Sequence, residues 1–452
     1  MKLRVPHTYA LLFGLIVLAA LATHWIPAGT FDRVEHQGRE IVKPESFHHV
    51  EASPAGVSEV FLAFPRGLLE TAHIVFYIFL IGGAFSVVNA TGAIEALIHG
   101  VVRACGGNGE VVIVVLVVLF SLGGATIGMA EETLVFLPAL VVLARRLGYD
   151  EITAGAIGLV GAGAGFSGAF LNPFTVGVAQ DIAGLPVFSG LVFRLVVWAI
   201  ITTITAFYVV LWSRRRKSQN AADDQASQET SAGSFSLGFK GWLVLAVLLG
   251  ALAAVVVGAT SWGWGIFELS GLFVAVAILA GLLGGLGANR TAEQFVEGAA
   301  AIAGGALVVG LARGVLVIFE GASVTDTILY AMASAVQNLP ADVSIAGIYA
   351  IQVFLNFLVP SGSGQAALSI PILAPLADLV GVTRQTTVLA YQFGDGFTNV
   401  FTPTQGYFMA GLALIKVPWE RWVKFIWPLQ CIWIGTGLVL LLISHWMNWG
   451  PF

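Results

Sequence analysis

Three kinds of feature are scarce in this sequence: charged residues, cysteines and catalytic motifs. Only 10% of the 452 residues are charged, 57% are hydrophobic and the mean hydropathy is +0.89, which excludes an ordinary soluble domain. Two cysteines, Cys105 and Cys431, are too few for a disulfide framework. No basic cluster fits a nucleic acid, and no metal or nucleophile motif indicates an enzyme. The composition predicts a polytopic protein whose main partner is the lipid bilayer.

Apolar runs of about 20 residues are what a bilayer-spanning helix requires. The complete spans are predicted at 9–26, 72–88, 191–212, 242–257, 267–286, 302–319 and 425–444. We interpret 9–26 as an uncleaved first span, because its apolar run is long for a signal peptide. A polar stretch rich in Ser, Gln and Asp, 218–236, separates the two halves and is predicted to be a disordered linker. The predicted parts are therefore a first repeat over 1–212, a cytoplasmic linker over 213–237 and a second repeat over 238–452.

The two halves match at a nearly constant offset. Shifts of 231 and then 233 pair Phe64 with Phe295, Gly67 with Gly298, Gly83 with Gly314, Glu95 with Asp326, Pro138 with Pro371, Gly148 with Gly381, Gly161 with Gly394 and Gly163 with Gly396. Because the offset holds over more than 100 residues, duplication explains it better than chance. The second half adds one crossing, which turns the second copy upside down.

Each repeat also contains polar residues where lipid would be expected. The apolar runs 111–124 and 134–147 are short and flank GMAEET, and the runs 343–359 and 368–380 flank PSGSGQA. In hydrocarbon every backbone polar group needs an internal partner, so such breaks persist only inside protein or against a water-filled cavity. A helix interrupted at GAGAGFSG (161–168) or at 394–406 follows each pair. The predicted fold class is an all-α polytopic membrane protein, an inverted-repeat transporter with two re-entrant helical hairpins and two broken helices.

The Lys and Arg residues predict the orientation in the membrane. With the N-terminus inside, 14 of the 21 lie in inner loops and six, Arg194 among them, lie outside. This bias is the one that the positive-inside rule requires. The N-terminus and linker are therefore predicted to be cytoplasmic, in the inner (cytoplasmic) membrane. The first hairpin opens from the cytoplasm and the second from outside. Paired hairpins from opposite faces favour alternating access over a channel, and an intramembrane enzyme lacks its motifs here.

The chain resembles the DcuC family of anaerobic dicarboxylate carriers, and more closely its YfcC-like branch within the ion transporter superfamily. The motifs that carry this are IPAGTF (26–31), GMAEET (128–133), NPFTVGVAQ (172–180), PSGSGQA (360–366), TRQTTVLAYQFGDGFTN (383–399) and PTQG (403–406). The resemblance implies a homodimer with scaffold and transport domains and an elevator-like mechanism. It also implies ion-coupled uptake or exchange of a small carboxylate or amino acid.

Polar residues at the breaks are the candidate ligands. The predicted substrate-binding residues are Glu131, Glu132, Thr133, Asn172, Thr175, Ser361, Ser363, Gln365, Asn399, Thr402 and Thr404. The predicted ion-binding residues are Gly161, Gly163, Ser167, Gly394, Asp395, Gly396 and Thr398, with Na⁺ at Asp395 and the helix breaks or H⁺ as the coupling ion and no other cofactor. Ser and Thr also bond across packed helices, which is the structural alternative for most of them.

The acidic candidates have alternatives of their own. Intramembrane Glu131 and Glu132 are expensive to insert, about 2.5 to 3.5 kcal/mol each on insertion scales, and so point to function, unless the turn reaches interfacial water. Asp395 would sit where a helix unwinds and binds a cation, or would cap the following half-helix. The literal G-x-G-x-x-G at 163–168 follows no strand, so dinucleotide binding is dismissed.

Arg313 bears on the substrate. It is predicted to form an ion pair with Glu320, with a substrate clamp as the alternative. A dicarboxylate needs cationic hosts, whereas the inferred site is acidic, so the sequence favours an amino acid, a basic one such as arginine or ornithine, over succinate or fumarate. Bound Na⁺ would weaken this argument. The dicarboxylate alternative therefore stays open.

Overall fold

A computed structural model describes residues 8–36, 39–93, 108–223, 239–262 and 264–450. Glu95, Cys105 and positions 224–237 of the predicted linker lie outside these ranges. The described part of the chain is mostly helical. Helices of the first half are α1 (Thr8–Ala22), α2 (Val57–Glu70), α3 (Ala72–Ala90), α4 (Gly109–Ile127), α5 (Thr133–Arg146), α6 (Glu151–Gly155), α7 (Gly161–Gly168), α8 (Val178–Ile182) and α9 (Leu191–Asp223). Those of the second half are α10 (Phe239–Ser261), α11 (Ile266–Leu283), α12 (Gly287–Ala301), α13 (Ala303–Gly321), α14 (Thr325–Val336), α15 (Ala341–Leu358), α16 (Gly362–Leu379), α17 (Arg384–Thr398), α18 (Gly406–Leu414) and α19 (Trp419–Trp446).

Seven helical segments of the described chain are long and apolar enough to cross a bilayer, so the chain is a multi-pass membrane protein. They are Ala72–Ala90, Gly109–Thr126, Glu151–Ile182, Leu191–Arg216, Ile266–Leu283, Ala341–Leu358 and Trp419–Trp446. Two of them, in α4 and α15, are the first arms of the predicted hairpins. Their lengths differ from the prediction because each helix begins outside its apolar run, at Gly109 after the Asn108 cap or at Ala341 after Pro340. Helix α9 likewise runs into the predicted linker, as far as Asp223.

Two short turns connect the helix pairs at which hairpins were predicted. Residues 128–132, named tip 1, join α4 to α5, and residues 359–361, named tip 2, join α15 to α16. Gly128 has φ +64°, a conformation that suits glycine at a helix end. At tip 2 the Ser361 hydroxyl accepts a hydrogen bond from the Gly364 N–H at 3.3 Å, so Ser361 caps α16. Gly128 thus ends α4 at tip 1, and Ser361 begins α16 at tip 2.

The predicted position of the helix break in the first half is wrong by several residues, whereas the break in the second half lies within the predicted range 394–406. GAGAGFSG forms helix α7, and the chain leaves the helical path at residues 169–172, where Ala169 has φ +40°. In the second half α17 continues to Thr398, so the irregular segment is 399–405. Glycine here serves close helix contact rather than unwinding: a Cβ at Gly165 would lie 1.7 Å from the Ser121 carbonyl oxygen, and one at Gly394 would lie 2.5 Å from the Gln352 Cβ.

Helix packing follows the same pattern in the two halves. Helix α2 packs on α13 and α12 on α3, while α4 packs on α7 and α15 on α17. Glycine permits two of these crossings, since a Cβ at Gly67 would lie 2.2 Å from the Gly310 oxygen and one at Gly298 would lie 2.4 Å from the Gly82 oxygen. Helices α7 and α17 also contact each other. The segments that carry the two breaks therefore meet inside the protein.

The polar segment after α1 forms short antiparallel strands. These are β1 (Gly29–Thr30) paired with β4 (His48–His49), and β2 (Arg33–His36) paired with β3 (Arg39–Val42). Arg33 pairs with Asp326 of α14 at 3.0 Å, and His36 Nε2 lies 2.9 Å from Asp181 Oδ2 of α8. Strand β3 also packs on α16. This ribbon therefore connects α14 to the elements that follow the break in the first half.

Candidate functional site

Asp395 lies in the last turn of α17 and is fully buried. Its Oδ1 accepts a hydrogen bond from Asn399 Nδ2 at 3.0 Å, while its Oδ2 is buried without any partner among the described residues. The alternative interpretation, a cap on the following half-helix, is wrong, because the N-cap of α18 is Gln405. A buried carboxylate oxygen without a donor is costly unless a cation or a proton satisfies it.

Tip 2 and the first repeat meet at this carboxylate. A Cβ at Gly362 would lie 2.9 Å from Asp395 Oδ2 and 2.6 Å from Thr175 Cγ2. The Tyr391 hydroxyl donates to the Gly362 carbonyl oxygen at 2.7 Å and so holds the start of α16 against α17. Thr175 Oγ1 is also buried without a described partner. One side chain from each half of the chain, Thr175 and Asp395, therefore lies against a single glycine.

Asn172 links tip 1 to the same place. A Cβ at Gly128 would lie 2.8 Å from Asn172 Nδ2, an amide nitrogen that is buried without a described partner. On its other side, Asn172 Oδ1 accepts from the N–H groups of Phe174 and Thr175 at 2.9 and 3.3 Å. Contacts therefore lead from tip 1 through Asn172 and Thr175 to Gly362 and Asp395. The sequence predicted Asn172, Thr175 and Asp395 as separate candidates and did not include Gly362.

The acidic pair of tip 1 and Asp395 share one neighbour, Tyr407. Glu132 Oε2 accepts from the Ala130 N–H of its own turn at 3.1 Å. Tyr407 of α18 lies within electrostatic range of Glu131, Glu132 and Asp395. No described Lys, Arg or His pairs with any of these three carboxylates. The region is consequently anionic when its carboxyl groups are ionised.

Asn356 was missed by the sequence analysis because it lies within an apolar helix arm. Its Nδ2 lies 3.1 Å from the Asp395 carbonyl oxygen, 2.7 Å from Thr398 Oγ1 and 2.8 Å from Asn399 Oδ1. Gln405 Nε2 donates to that same Asn399 oxygen at 2.7 Å. These amides fix Asn399 and Thr398 around the end of α17. The available signal was the presence of two amide side chains, Gln352 and Asn356, in one apolar span.

Several predicted ligands have structural partners instead. Gln365 Nε2 donates to the Gln352 backbone and side-chain oxygens at 2.9 and 2.7 Å, and so joins α16 to α15. Thr402 and Thr404 bond to each other at 2.9 Å, and Thr404 donates to the Phe357 oxygen at 2.8 Å. Gln365 therefore joins two helices, and the two threonines hold the irregular segment after α17 in place, as Ser and Thr do across packed helices.

The remaining candidates lie nearby without clear ligand geometry. Ser167 and Thr133 bond to backbone oxygens of their own segments, at 2.8 and 2.5 Å. Ser363 is half-buried in the first turn of α16. The four predicted glycine ligands, Gly161, Gly163, Gly394 and Gly396, are helical positions whose missing Cβ permits close contacts, so freed carbonyls at these glycines are a wrong prediction.

Arg313 does not reach the site. Its Nε lies 2.6 Å from Glu70 Oε2 of α2, and its Nη2 lies 3.5 Å from Glu320 Oε2. The predicted pairing with Glu320 is present, and the closer partner is Glu70. The substrate-clamp alternative is therefore disfavoured, because both nearby carboxylates already compensate the guanidinium.

The donor set suits a hard monovalent cation. Thr175 Oγ1 and Asp395 Oδ2 are buried oxygens without a described partner, and oxygens beside irregular backbone are the ligands that transporters use for Na⁺. No group of three or more His, Cys, Asp or Glu side chains suited to a metal ion occurs within the described ranges. A transition-metal site therefore has no support in that part of the chain.

Comparison with known proteins gives the family. The family model for DcuC, described as a C4-dicarboxylate anaerobic carrier, matches residues 5–446. A protein of Escherichia coli (strain K12) named "Putative basic amino acid antiporter YfcC" is 37% identical, covering 93% of this chain and 92% of the relative. An uncharacterized protein of Haemophilus influenzae (strain Rd) is 28% identical, covering 97% and 96%.

Two solved structures also align with the chain. The YdaH transporter of Alcanivorax borkumensis covers 99% of this chain at 17% identity and a TM-score of 0.43, and 100% of its own chain is aligned. MtrF of Neisseria gonorrhoeae covers 100% of this chain at 16% identity and a TM-score of 0.40, with 98% of its own chain aligned. The match to the family model over almost the whole length shows that this chain belongs to the DcuC family of carriers.

Proposed function

We propose that this protein is a secondary active transporter that moves a basic amino acid, such as arginine or ornithine, across the cytoplasmic membrane. The observation that carries the proposal is the charge around the two tips. Glu131 and Glu132 are close enough to affect each other's charge, all three carboxylates act on Tyr407, and no described cation pairs with any of them. Neighbouring like charges cost several kcal/mol unless cations accompany them, so a cationic substrate at the glutamate pair and a coupling cation at Asp395 fit this region.

Two cations have separate places in the proposal. Asp395 Oδ2, Thr175 Oγ1 and backbone near Gly362 bind Na⁺, or Asp395 carries a coupling H⁺. The substrate amine or guanidinium faces Glu131 and Glu132, and its carboxylate faces Ser361 and the free N–H groups at the start of α16. The relative named for basic amino acid antiport supports exchange as the mode of transport.

The alternative substrate is a C4-dicarboxylate, which the family description favours. A dicarboxylate needs positive hosts, and Arg313 is engaged by Glu70 and Glu320. Bound Na⁺ ions at the breaks would have to supply the missing positive charge. The two substrates therefore predict opposite competition results.

The proposed architecture is an inverted repeat with two re-entrant hairpins and an elevator-like movement in a homodimer. Support for the inverted repeat comes from the reciprocal packing of α2 on α13 and α12 on α3, and from the glycine contacts at Gly67 and Gly298. Support for the hairpins comes from polar tips that approach a common centre. The elevator movement and the homodimer rest on the family resemblance alone.

Competition in proteoliposomes tests the substrate. Arginine and ornithine are expected to inhibit uptake of labelled ornithine by the purified protein, whereas succinate and fumarate are not. The double variant Glu131→Gln/Glu132→Gln is expected to lose this uptake by about 100-fold, since removing one partner of a buried charge pair costs about 2–5 kcal/mol. Glu293→Gln, on the exposed side of α12, is the matched control and should keep full uptake. Uptake of labelled succinate that fumarate inhibits and amino acids do not, together with no uptake of labelled ornithine, would establish the dicarboxylate alternative.

Gly362→Ala tests the meeting of tip 2 with Asp395. The new Cβ would lie 2.9 Å from Asp395 Oδ2 and 2.6 Å from Thr175 Cγ2, so it would fill the cation site. We expect uptake to fall by about 10-fold or more, because overpacking costs about 1–3 kcal/mol. Gly321→Ala is the control, as nothing lies within 4 Å of its Cβ. Equal uptake by both folded variants, verified by thermal unfolding, would contradict the site.

A further inference from the structure

Arg194 is a buried cation that the proposed transport site does not use. It lies in the first turn of α9 and has 0% exposure, and all three guanidinium nitrogens are buried without a hydrogen-bond partner among the described residues. No described carboxylate pairs with it or exerts a charge effect on it. Arg194 is one of the six cations predicted to lie outside the membrane, where water would solvate it, but its side chain is enclosed by protein.

The surroundings of Arg194 include the start of a long helix. The guanidinium carbon lies 5.6 Å from the centre of the Trp449 ring, and a Cβ at Gly190 would lie 2.3 Å from Cζ2 of that ring. Helical side chains lean towards the N-terminus of their helix, which brings the guanidinium towards this end of α9. The backbone N–H of Arg194 donates to the Gly190 carbonyl oxygen at 3.2 Å. The backbone N–H groups of residues 191–193 have no described acceptor.

The unpaired Arg194 guanidinium and the free N–H groups at the start of α9 are complementary to the same kind of ligand. Free N–H groups at a helix start carry partial positive charge and bind anions. An unpaired guanidinium cannot lose its proton and is expensive to bury without a counter-charge. The cation–π contact with Trp449 offsets only part of that cost. Both features therefore favour a negative charge beside the first turn of α9, on the side that the Trp449 ring does not fill.

We infer that Arg194 and the first turn of α9 form a binding site for a small monovalent anion of the halide type. The close contact between Gly190 and Trp449 leaves no room for even a methyl group there, which excludes large organic anions from that side. The Thr383 hydroxyl donates to the Trp449 carbonyl oxygen at 2.9 Å and so connects this site to the cap of α17. The bound anion therefore stabilises the packing of α9 and of the C-terminal segment beside the helix that carries Asp395.

Thermal unfolding of the purified protein in sodium chloride and in sodium gluconate at equal ionic strength tests this site. Wild-type protein is expected to unfold at a temperature at least about 2 °C higher in chloride, and the shift should rise with chloride concentration. Arg194→Met keeps the apolar stem and removes the charge. It should show no chloride dependence, and in gluconate it should be as stable as the wild type or more stable.

Arg290→Met, on exposed helix α12, is the matched control and should keep the chloride response of the wild type. If Arg194→Met does not fold, bromide is the second probe: an anomalous bromide peak beside the Arg194 guanidinium in wild-type crystals supports the site. Equal stability of the wild type in chloride and gluconate overturns the inference. A chloride response that persists in Arg194→Met, or bromide bound only elsewhere, overturns it as well.

Discussion

Asp395→Asn is expected to reduce ion-driven uptake by about 100-fold, because the loss of one partner of a buried charge pair costs about 2–5 kcal/mol. The substitution keeps the size of the side chain and the acceptor for Asn399 Nδ2, but it removes the charge of the Oδ2 oxygen that lacks a partner. Folding should be preserved, since the helix and its contacts do not depend on that charge. The measurement is uptake into proteoliposomes under imposed Na⁺ and H⁺ gradients.

The matched control for Asp395 is Asp378→Asn. Asp378 lies near the end of α16 and pairs with Arg384 at 2.7 Å, with 45% of its side chain exposed. An exposed ion pair contributes about 0.2–1 kcal/mol, so this variant should transport normally. If uptake by Asp395→Asn equals that of the control at every pH and Na⁺ concentration, Asp395 is a structural residue and the coupling proposal is wrong.

Gly165→Ala is expected to be the most destabilising of the single-methyl substitutions. Its Cβ would lie 1.7 Å from the Ser121 carbonyl oxygen and 2.5 Å from the carbonyl carbon, both of them backbone atoms that cannot rotate away. Helices α4 and α7 would have to separate, and the Ser121 hydroxyl would shift from Thr202 and Trp198 of α9, at 2.6 and 2.8 Å. The free energy of unfolding is expected to fall by about 3 kcal/mol, the upper end of overpacking costs. The measurements are the unfolding temperature and the yield of folded protein, both of which should be lower.

Gly250→Ala, in α10, is the control for Gly165. Nothing lies within 4 Å of its Cβ, and alanine is the better helix former by about 1 kcal/mol, so its stability should be unchanged or higher. Membrane helices gain little from hydrophobic association and depend on close packing, which is why one methyl group has such unequal effects at the two positions. Equal unfolding temperatures would mean that α4 and α7 are not in close contact.

Several membrane spans and the polar turns were predictable from the sequence, whereas the role of the glycines was not, and the difference has a physical reason. Hydropathy identified four spans, at 72–88, 191–212, 267–286 and 425–444, and the polar turns at tips 1 and 2, because cost in lipid is a property of each short segment. The predicted spans at 9–26 and 242–257 are shorter apolar helices and the one at 302–319 belongs to a bent helix pair, so these three are not among the seven crossing segments. Glycine was assigned to helix unwinding at 161–168 and at Gly394, although a sequence does not distinguish a flexible glycine from one that lets two helices touch. The partners decide this, and Gly165 and Gly394 have backbone or Cβ atoms of neighbouring helices against them.

The candidate site shows the same division. Glu131, Glu132 and Asp395 stood out by themselves, because intramembrane charge is conspicuous in any apolar sequence. Asn356 and Tyr391 did not, since a neutral polar side chain in a helix says nothing about its partner 39 or 29 positions away. Likewise Arg313 and Glu320 were paired from their spacing, but the closer partner Glu70 is 243 positions distant.

The sequence by itself determined that this chain crosses the membrane several times and that acidic and polar residues interrupt its apolar helices, whereas the relation between its halves stays a prediction. Tertiary structure alone decided that Thr175 of one half and Asp395 of the other flank the same glycine at 362, and that Arg194 is enclosed beside Trp449. The free energy of transferring a residue from water to lipid depends mainly on that residue, so it can be summed along the chain from the sequence alone. Which oxygens and charges remain without partners depends on contacts between distant segments, and those exist only after the helices have packed.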